Sequence, residues 1–439
     1  MKKQYILLCG ATVALLMAAC QGGKTAAADA EAGDTLEMKY AKLLTIVKHG
    51  DGGETSDAAE GIDYQYAEAI VANPWKAGTM LHRYILIPKG EEGDKTVTML
   101  AKRRSTGARC TTDTVRTPVE RSAVFIAPHC QLMYELGCQQ AIRGVCDFNY
   151  INIPDVKKRA ALSGNTSAQN TSAQNPIVNC GSSMAPDIER IIALKPEAIL
   201  LSPFENSGGY GKLDKLHIPI IEAADYMESS PLGRAEWMKF YGMLFGNEEG
   251  KSNGISGSCE PKADSLFAKI EKEYLSLKAQ AAGYTKGLSI LTERKTGNVW
   301  YVPGGQSTIG ILLKDANARY IFEDDQHSGS LAMSPEQILS KGKDIDVWAF
   351  KYFGGAPLTR AQLLQEYDGY KALRCFANAQ IYEVDTSTEP YFELTSFHPE
   401  ILLREFILLS HPADHAKFSK YAKDIRALGA LRFYHRQLQ

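Results

Sequence analysis

The side chains with the richest chemistry in this sequence stand just past apolar runs: His129, Phe204, Glu205, Tyr226, Trp300, Tyr301, Tyr352, Phe353, Tyr391 and Phe392. Rings clustered at such points offer stacking and apolar burial to a flat, conjugated or bulky ligand. A histidine or tyrosine among them has the donor atom to ligate an iron or cobalt held by such a ligand. The competing reading of each ring, taken alone, is packing in a core, and of His129 a hydrogen-bonded structural imidazole. His411 and His415 stand four apart, a spacing that can set two metal ligands on one helix face. Covalent catalysis has no visible machinery: the sequence holds no Gly-x-Ser-x-Gly elbow, no His-Glu-x-x-His and no Cys/His pair at catalytic spacing. Gly304-Gly305-Gln306-Ser307 is a turn without the Lys-Ser/Thr of a phosphate loop.

Strands alternating with helices must position these residues. From Ser122 onward the pattern predicts strands over 122–128, 141–145, 198–202 and 218–223, with helices from Gln131 to Leu136 and over 187–194. Beyond Gly283 it predicts strands over 287–291, 299–302, 346–350 and 381–384, and helices over 308–315, 335–339, 359–366 and 399–409. Such alternation with short connections implies parallel sheets covered by helices. In open sheets of this class a ligand meets the residues past the carboxyl ends of the strands, and that rule selects the aromatic set above. Before Ser122, β-leaning runs over 40–47, 64–71 and 82–88 predict an early antiparallel element. Helices are expected over 233–245 and again over 261–282, where Leu266, Phe267, Ile270, Tyr274, Leu275 and Leu277 recur at helical spacing. The second of these is read as the link between two α/β lobes.

Two segments mirror one another across that link. Asp187-Ile188-Glu189 and Ser334-Pro335-Glu336 each place a capping residue two positions before a glutamate, and each helix leads into a strand. Both carboxylates therefore sit in a first helical turn, where the helix dipole favours negative charge and the side chain stays at the surface. Read by spacing alone, they are also simply good helix-start residues.

The amino terminus reads as an export signal: Met1-Lys2-Lys3, an apolar run from Tyr5 to Met17 and a small-residue cleavage site before Cys20. The run is too short and too one-sidedly flanked for an ordinary membrane span. Leu16-Met17-Ala18-Ala19-Cys20 resembles the bacterial lipobox, so Cys20 is the expected lipid anchor and residues 20–35 a flexible tether; a plain secretory peptide is the alternative. A chain of 439 residues exceeds what one core supports, which predicts two lobes. Lys+Arg 49 against Asp+Glu 51, with no basic stripe, argues against nucleic acid. Seven cysteines remain after Cys9 and Cys20, an odd number without paired CxxC spacing, so at least one thiol stays unpaired or pairs outside the chain, and no zinc site is supported. The tandem polar repeat over 165–175 reads as a loop insertion.

Four stretches in order, Arg121-Ser-Ala-Val-Phe-Ile-Ala127, Glu135-Leu-Gly-Cys-Gln-Gln-Ala-Ile-Arg-Gly-Val-Cys-Asp147, Asp187-Ile-Glu-Arg-Ile-Ile-Ala-Leu-Lys-Pro-Glu197 and Ser334-Pro-Glu-Gln-Ile-Leu339, resemble the periplasmic-binding-protein family of importers for cobalamin, haem and ferric siderophores. The resemblance covers roughly Arg121 to Pro412. It implies an α/β fold of two Rossmann-like lobes joined by a single long interlobe helix, with the ligand cleft between them. The corresponding division is a signal over 1–19, the tether, an N-terminal lobe over 36–258, the helix over 259–283 and a C-terminal lobe over 284–439. It further implies a non-enzymatic, monomeric receptor without intrinsic cofactor, held to the membrane by its lipid alone and facing the periplasm. Such a receptor would carry a ferric siderophore, haem or cobalamin to an ABC permease and ATPase complex. Glu189 and Glu336 match the surface glutamates that dock onto permease arginines. His411-Pro412 resembles the family's chain-end motif, which removes His411 and His415 as a metal site. The family's arginine-rich cleft has no clear counterpart at the strand-end positions, so the ligand class stays open. Alternatives are a lipoprotein chelatase or hydrolase on this scaffold, or a haem scavenger that works without a permease.

Overall fold

The computed structural model describes residues 33–50, 65–103, 112–163, 175–205, 209–252 and 255–437. The expected signal, Cys20 and almost all of the tether and polar repeat lie outside them.

The chain opens with a five-stranded sheet, β1 (Asp34–Leu36), β2 (Leu44–His49), β3 (Tyr66–Ala72), β4 (Met80–Pro88) and β5 (Thr112–Thr117), in that spatial order. The first four are antiparallel, as the β-leaning runs predict; β5 joins parallel to β4 through helix α1 (Glu91–Arg103). The strand expected from Tyr40 starts only at Leu44 because the preceding amides are committed elsewhere. Glu236, fully buried, accepts from the Lys39, Tyr40 and Ala41 N–H groups, and Glu228 accepts from Lys42 and Leu43. Two buried carboxylates thus satisfy five backbone donors that would otherwise be costly to bury. They fasten the first sheet to the lobe that follows. Tyr84 adds a second fastening, donating its hydroxyl to the Ile220 carbonyl at 2.9 Å and accepting from the Glu222 N–H at 2.8 Å.

The first lobe carries β6 (Ser122–Val124), α2 (Ala127–Leu136), β7 (Ile142–Val145), α3 (Pro154–Ser163) and β8 (Val178–Asn179). A small hairpin, β9 (Gly181–Ser182) and β10 (Ala185–Pro186), leads to α4 (Ile188–Leu194), β11 (Ala198–Leu201) and β12 (Ile220–Glu222). Its sheet, ordered β12-β11-β6-β7-β8, is parallel throughout. Both faces are covered: Val124, Leu200 and Ile221 point into one core cluster, and Ala123, Ile199 and Ile220 into another. That is why these strands read as continuous apolar runs. The helix expected over 233–245 is two pieces, α5 (Pro231–Glu236) and α6 (Met238–Leu244), joined at Trp237, and the hairpin β13 (Gly246–Ser252) and β14 (Ile255–Ser258) follows.

Helix α7 (Glu260–Ala282) is the predicted link. Its buried positions Ala263, Phe267, Ile270, Tyr274, Leu277 and Ala281 alternate spacings of four and three, the stripe of a helix with one face in the core. Leu275, counted into the stripe from sequence, is instead exposed. The second lobe continues with β15 (Ile290–Thr292), β16 (Trp300–Pro303), α8 (Thr308–Asp315), β17 (Ser330–Met333), α9 (Pro335–Ser340) and β18 (Val347–Tyr352). After these come α10 (Arg360–Glu366), α11 (Arg374–Ala377), β19 (Ile381–Asp385), α12 (Tyr391–Thr395), α13 (Pro399–Ser410), α14 (Ala422–Ala427) and β20 (His435–Arg436). In the sheet β15-β18-β19-β20 the first three strands are parallel and β20 is an antiparallel edge, while β16 pairs with β17 in a separate two-stranded antiparallel sheet. One core cluster runs from the first sheet through α7 to α13, so the lobes share a continuous interior around the linking helix.

Candidate functional site

The carboxyl ends of the parallel strands in the two lobes meet one another. Tyr150, after β7, lies against Phe353, after β18, with ring centroids 5.1 Å apart and planes tilted by 52°. Beside them Asn152 donates its N–H to Glu393 at 2.7 Å and its side-chain amide to the Thr386 carbonyl at 2.8 Å, across the lobes. Tyr150 and Phe353 nevertheless keep 62% and 55% exposure, which is expensive for large rings unless something covers them. Phe204 after β11, Tyr226 after β12 and Phe392 on α12, the helix that follows β19, are also exposed. Tyr226 donates to the Pro203 carbonyl at 2.5 Å, so the β11 and β12 loops hold one another. Glu205 is exposed beside Phe204, and Tyr301 is exposed on the antiparallel pair β16–β17 opposite Ala332.

Four of the residues chosen from sequence are packed inside instead. The strand expected to reach Pro128 ends at Val124, because Pro128 favours the first turn of α2, and His129 is drawn into the core with that turn. Its Nε2 is 2.9 Å from both an Asp225 oxygen and the Tyr241 hydroxyl, so it is the structural imidazole of the competing reading. Burial opposes the charge of Asp225, but His129, Arg234 and the Tyr241 hydroxyl outweigh it and hold the carboxyl below its usual range. Trp300 is fully buried among Trp348 and Tyr370, its indole N–H donating to the Glu293 carbonyl at 3.2 Å. Tyr352 is buried and donates to the Ala356 carbonyl at 2.9 Å. Tyr391 opens α12 and turns its ring inward against Phe433 and Tyr434. Period-two alternation explains the split within β16, where Trp300 faces in and Tyr301 out. Gly304-Gly305-Gln306-Ser307 is a structural turn before α8, with Ser307 as its cap. His411 is buried with Nε2 3.1 Å from the Thr285 carbonyl, and burial lowers its pKa to about 4.

Sequence reasoning missed Tyr150 and Met184, both exposed and both on segments that follow strands, β7 and β8. Tyr150 was accessible to the same strand-end rule, since a strand over 141–145 was expected; Met184 was hidden by the polar repeat that precedes β8.

Glu189 and Glu336 occupy equivalent places, each the second residue of its helix and each exposed. Asp187 caps α4 by accepting from the Arg190 N–H, and Ser334 caps α9 within a full capping box closed by Gln337. The amide of its own turn and the Ser334 hydroxyl hold the Glu336 carboxyl below the usual glutamate range. Exposed Ile192 stands one turn on from Glu189. No helix among the described residues is long and apolar enough to cross a membrane, and no group of three or more potential ligands among them could hold a metal ion.

Residues 151–388, more than half of the chain, match the family model described as Periplasmic binding protein. The chain belongs to the periplasmic binding protein family. Proteins of this family bind small-molecule solutes and work with an ABC permease and its ATPase; they are receptors, not enzymes. This periplasmic binding protein is similar to two uncharacterized lipoproteins of Methanocaldococcus jannaschii. One is 24% identical over 247 residues, covering 55% of this chain and 54% of the relative; the other is 23% identical over 243 residues, covering 54% and 59%. The match thus spans little more than half the length of these relatives. Among solved structures it is similar to a periplasmic haem binding protein of Pseudomonas aeruginosa, with 15% identity, TM-score 0.48 and coverage of 67% of this chain and 93% of that one. It is also similar to a periplasmic vitamin B12 binding protein of Vibrio cholerae, with 14% identity, TM-score 0.46 and coverage of 66% and 96%.

Proposed function

We propose that this protein is a lipid-anchored receptor of an ABC importer that captures a cofactor-sized chelate, a ferric siderophore, haem or corrinoid, between its lobes and delivers it to the permease. The observation that carries this reading is the set of exposed aromatic side chains at the facing strand ends, with Tyr150 and Phe353 meeting across the lobes. A receptor exposes such rings because its ligand buries them, each ring contributing on the order of 1–3 kcal/mol when covered. Ligand capture needs no reacting side chain, in keeping with a site that offers surface rather than nucleophiles. The anchor is Cys20, and Glu189 and Glu336 are the docking carboxylates, one on each lobe.

The soluble protein, starting after the tether, is titrated with haem, cobalamin, cobinamide and ferric siderophores, followed by absorption spectroscopy and thermal shift. One class is expected to give a saturable change that Phe353→Ala weakens about tenfold, the loss of roughly 1.4 kcal/mol of ring contact. Saturable binding that is indifferent to Phe353, Phe204 and Phe392 would place the ligand elsewhere, and no binding at all would remove the chelate class.

A further inference from the structure

We infer that the cleft selects a neutral or cationic chelate against an anionic one, and that Glu293 is the residue that sets this preference by occupying Lys351. The inference rests on the receptor reading above and narrows its ligand class. Glu293 directly follows β15, and Lys351 lies near the end of β18, two residues before Phe353. Their side chains form an ion pair, with 28% and 17% exposure. The pair therefore stands beneath the aromatic rim, at the strand ends where a ligand meets an open α/β sheet.

The direction of the Glu293 side chain is fixed by its backbone. Glu293 is a non-glycine residue in the left-handed region, at φ 64°, a conformation that persists only where the surroundings enforce it. Its carbonyl accepts from two buried indoles, Trp348 at 2.8 Å and Trp300 at 3.2 Å. Clamped in this way, the residue aims its carboxylate at the Lys351 ammonium, which also lies 5.8 Å from the Tyr391 ring centroid.

Other charges close behind the strand ends, among the described residues, tilt the same way, with Lys212 and Lys215 standing farther along the β11–β12 connection. Arg294 is bound to Glu366 at 2.6 Å, and Lys295 turns back to the Gly297 carbonyl at 2.7 Å. Asp147, Glu205 and Glu389 stand on the corresponding segments and are at least partly exposed. A carboxylate-bearing ligand entering here meets the carboxylates of Asp147, Glu205 and Glu389, while Lys351, Arg294 and Lys295 are each already engaged. A ligand carrying amides or an amine meets carboxylates that attract it or accept its hydrogen bonds.

The test uses matched pairs on three scaffolds: a corrin with amide or with carboxylate side chains, an iron porphyrin likewise, and a ferric trihydroxamate ending in an amine or in a carboxylate. The soluble wild-type protein is expected to bind the amide or amine member of one pair at least tenfold more tightly at low ionic strength. The ratio should shrink in 1 M salt, where the Debye length falls to about 3 Å. It should also shrink in Glu293→Gln, which keeps the shape and frees Lys351 for an anion. Equal or tighter binding of the carboxylate member by the wild type overturns the charge preference and leaves the receptor reading standing; because this comparison needs no variant, it holds even if Glu293→Gln fails to fold. An unchanged ratio in a folded Glu293→Gln variant overturns the assignment to Glu293. Binding of neither member on any scaffold overturns the receptor reading and the preference with it.

Discussion

His398 ties the two lobes directly. It precedes α13 of the second lobe and lies 2.8 Å from Glu135 of α2 in the first lobe and 2.8 Å from Glu400. Burial opposes its charge, but hydrogen bonds and attraction from the two carboxylates outweigh burial and raise its pKa to about 10. A group whose folded pKa exceeds its unfolded value of about 6.5 stabilises the fold fully below that unfolded value and loses its contribution as pH rises through the folded one. His398→Gln, which leaves the two glutamates without their cation, is therefore expected to cost about 3 kcal/mol at pH 6. Denaturant unfolding of both proteins from pH 6 to 10.5 should show the gap closing toward the alkaline end. A gap independent of pH would mean that the imidazole contributes packing rather than charge. His129 carries the complementary lesson: its ring is buried, with Nε2 held by Asp225 and Tyr241, and is not presented to a ligand at the surface of the cleft.

At the scale of elements, the contact between α6 and α7 positions the linking helix, and it depends on a missing side chain. A Cβ at Gly242 would come 2.7 Å from the Ala263 Cβ and 3.1 Å from the Cys259 carbonyl, so the two helices approach as closely as backbone allows. Gly242→Ala forces them apart and is expected to destabilise the protein by about 1–3 kcal/mol, since well-packed interiors do not absorb an added methyl group without shifting. A lowered melting temperature in thermal unfolding checks this; an unchanged or higher value would show that the interface yields. The paired helices α4 and α9 use opposite means to the same end. α4 relies on Asp187 alone, whereas α9 has proline in its first turn and a reciprocal cap between Ser334 and Gln337. Both hold an exposed glutamate at the second helical position.

For the molecule as a whole, two such carboxylates on separate lobes that share one interior form a fixed pair of charges. Charges at the rim of an interface govern encounter and register more than they govern affinity. Glu189→Lys and Glu336→Lys, each alone, are expected to reduce ligand delivery at least tenfold in vesicles containing the permease complex, while the ligand Kd of the soluble variants stays within about twofold. Delivery that survives both reversals would mean that these two glutamates are not the docking carboxylates. The appended first sheet belongs to this rigid frame as well: Lys48 pairs with Glu260 at 2.5 Å and Tyr40 donates to Glu271 at 2.7 Å, both on α7. An element outside the family match thus braces the linking helix.

Much of this architecture is legible in the sequence because periodicity reports burial. Parallel strands covered on both faces must be apolar throughout, and a helix with one buried face must repeat every three or four residues, so β11, β18, α7 and the capped starts of α4 and α9 stand out without coordinates. The strand-end rule likewise picked out Phe204, Tyr226, Phe353 and Phe392, which are exposed. Only the tertiary structure decided which rings turn outward. Trp300 and Tyr301 are neighbours of similar character, and a strand sends one to each face; Tyr391 and Phe392 divide in the same way at the start of a helix. A chain read in one dimension shows that a ring stands near a strand end, but whether it packs or waits for a ligand depends on which residues from distant segments already fill the space beneath it.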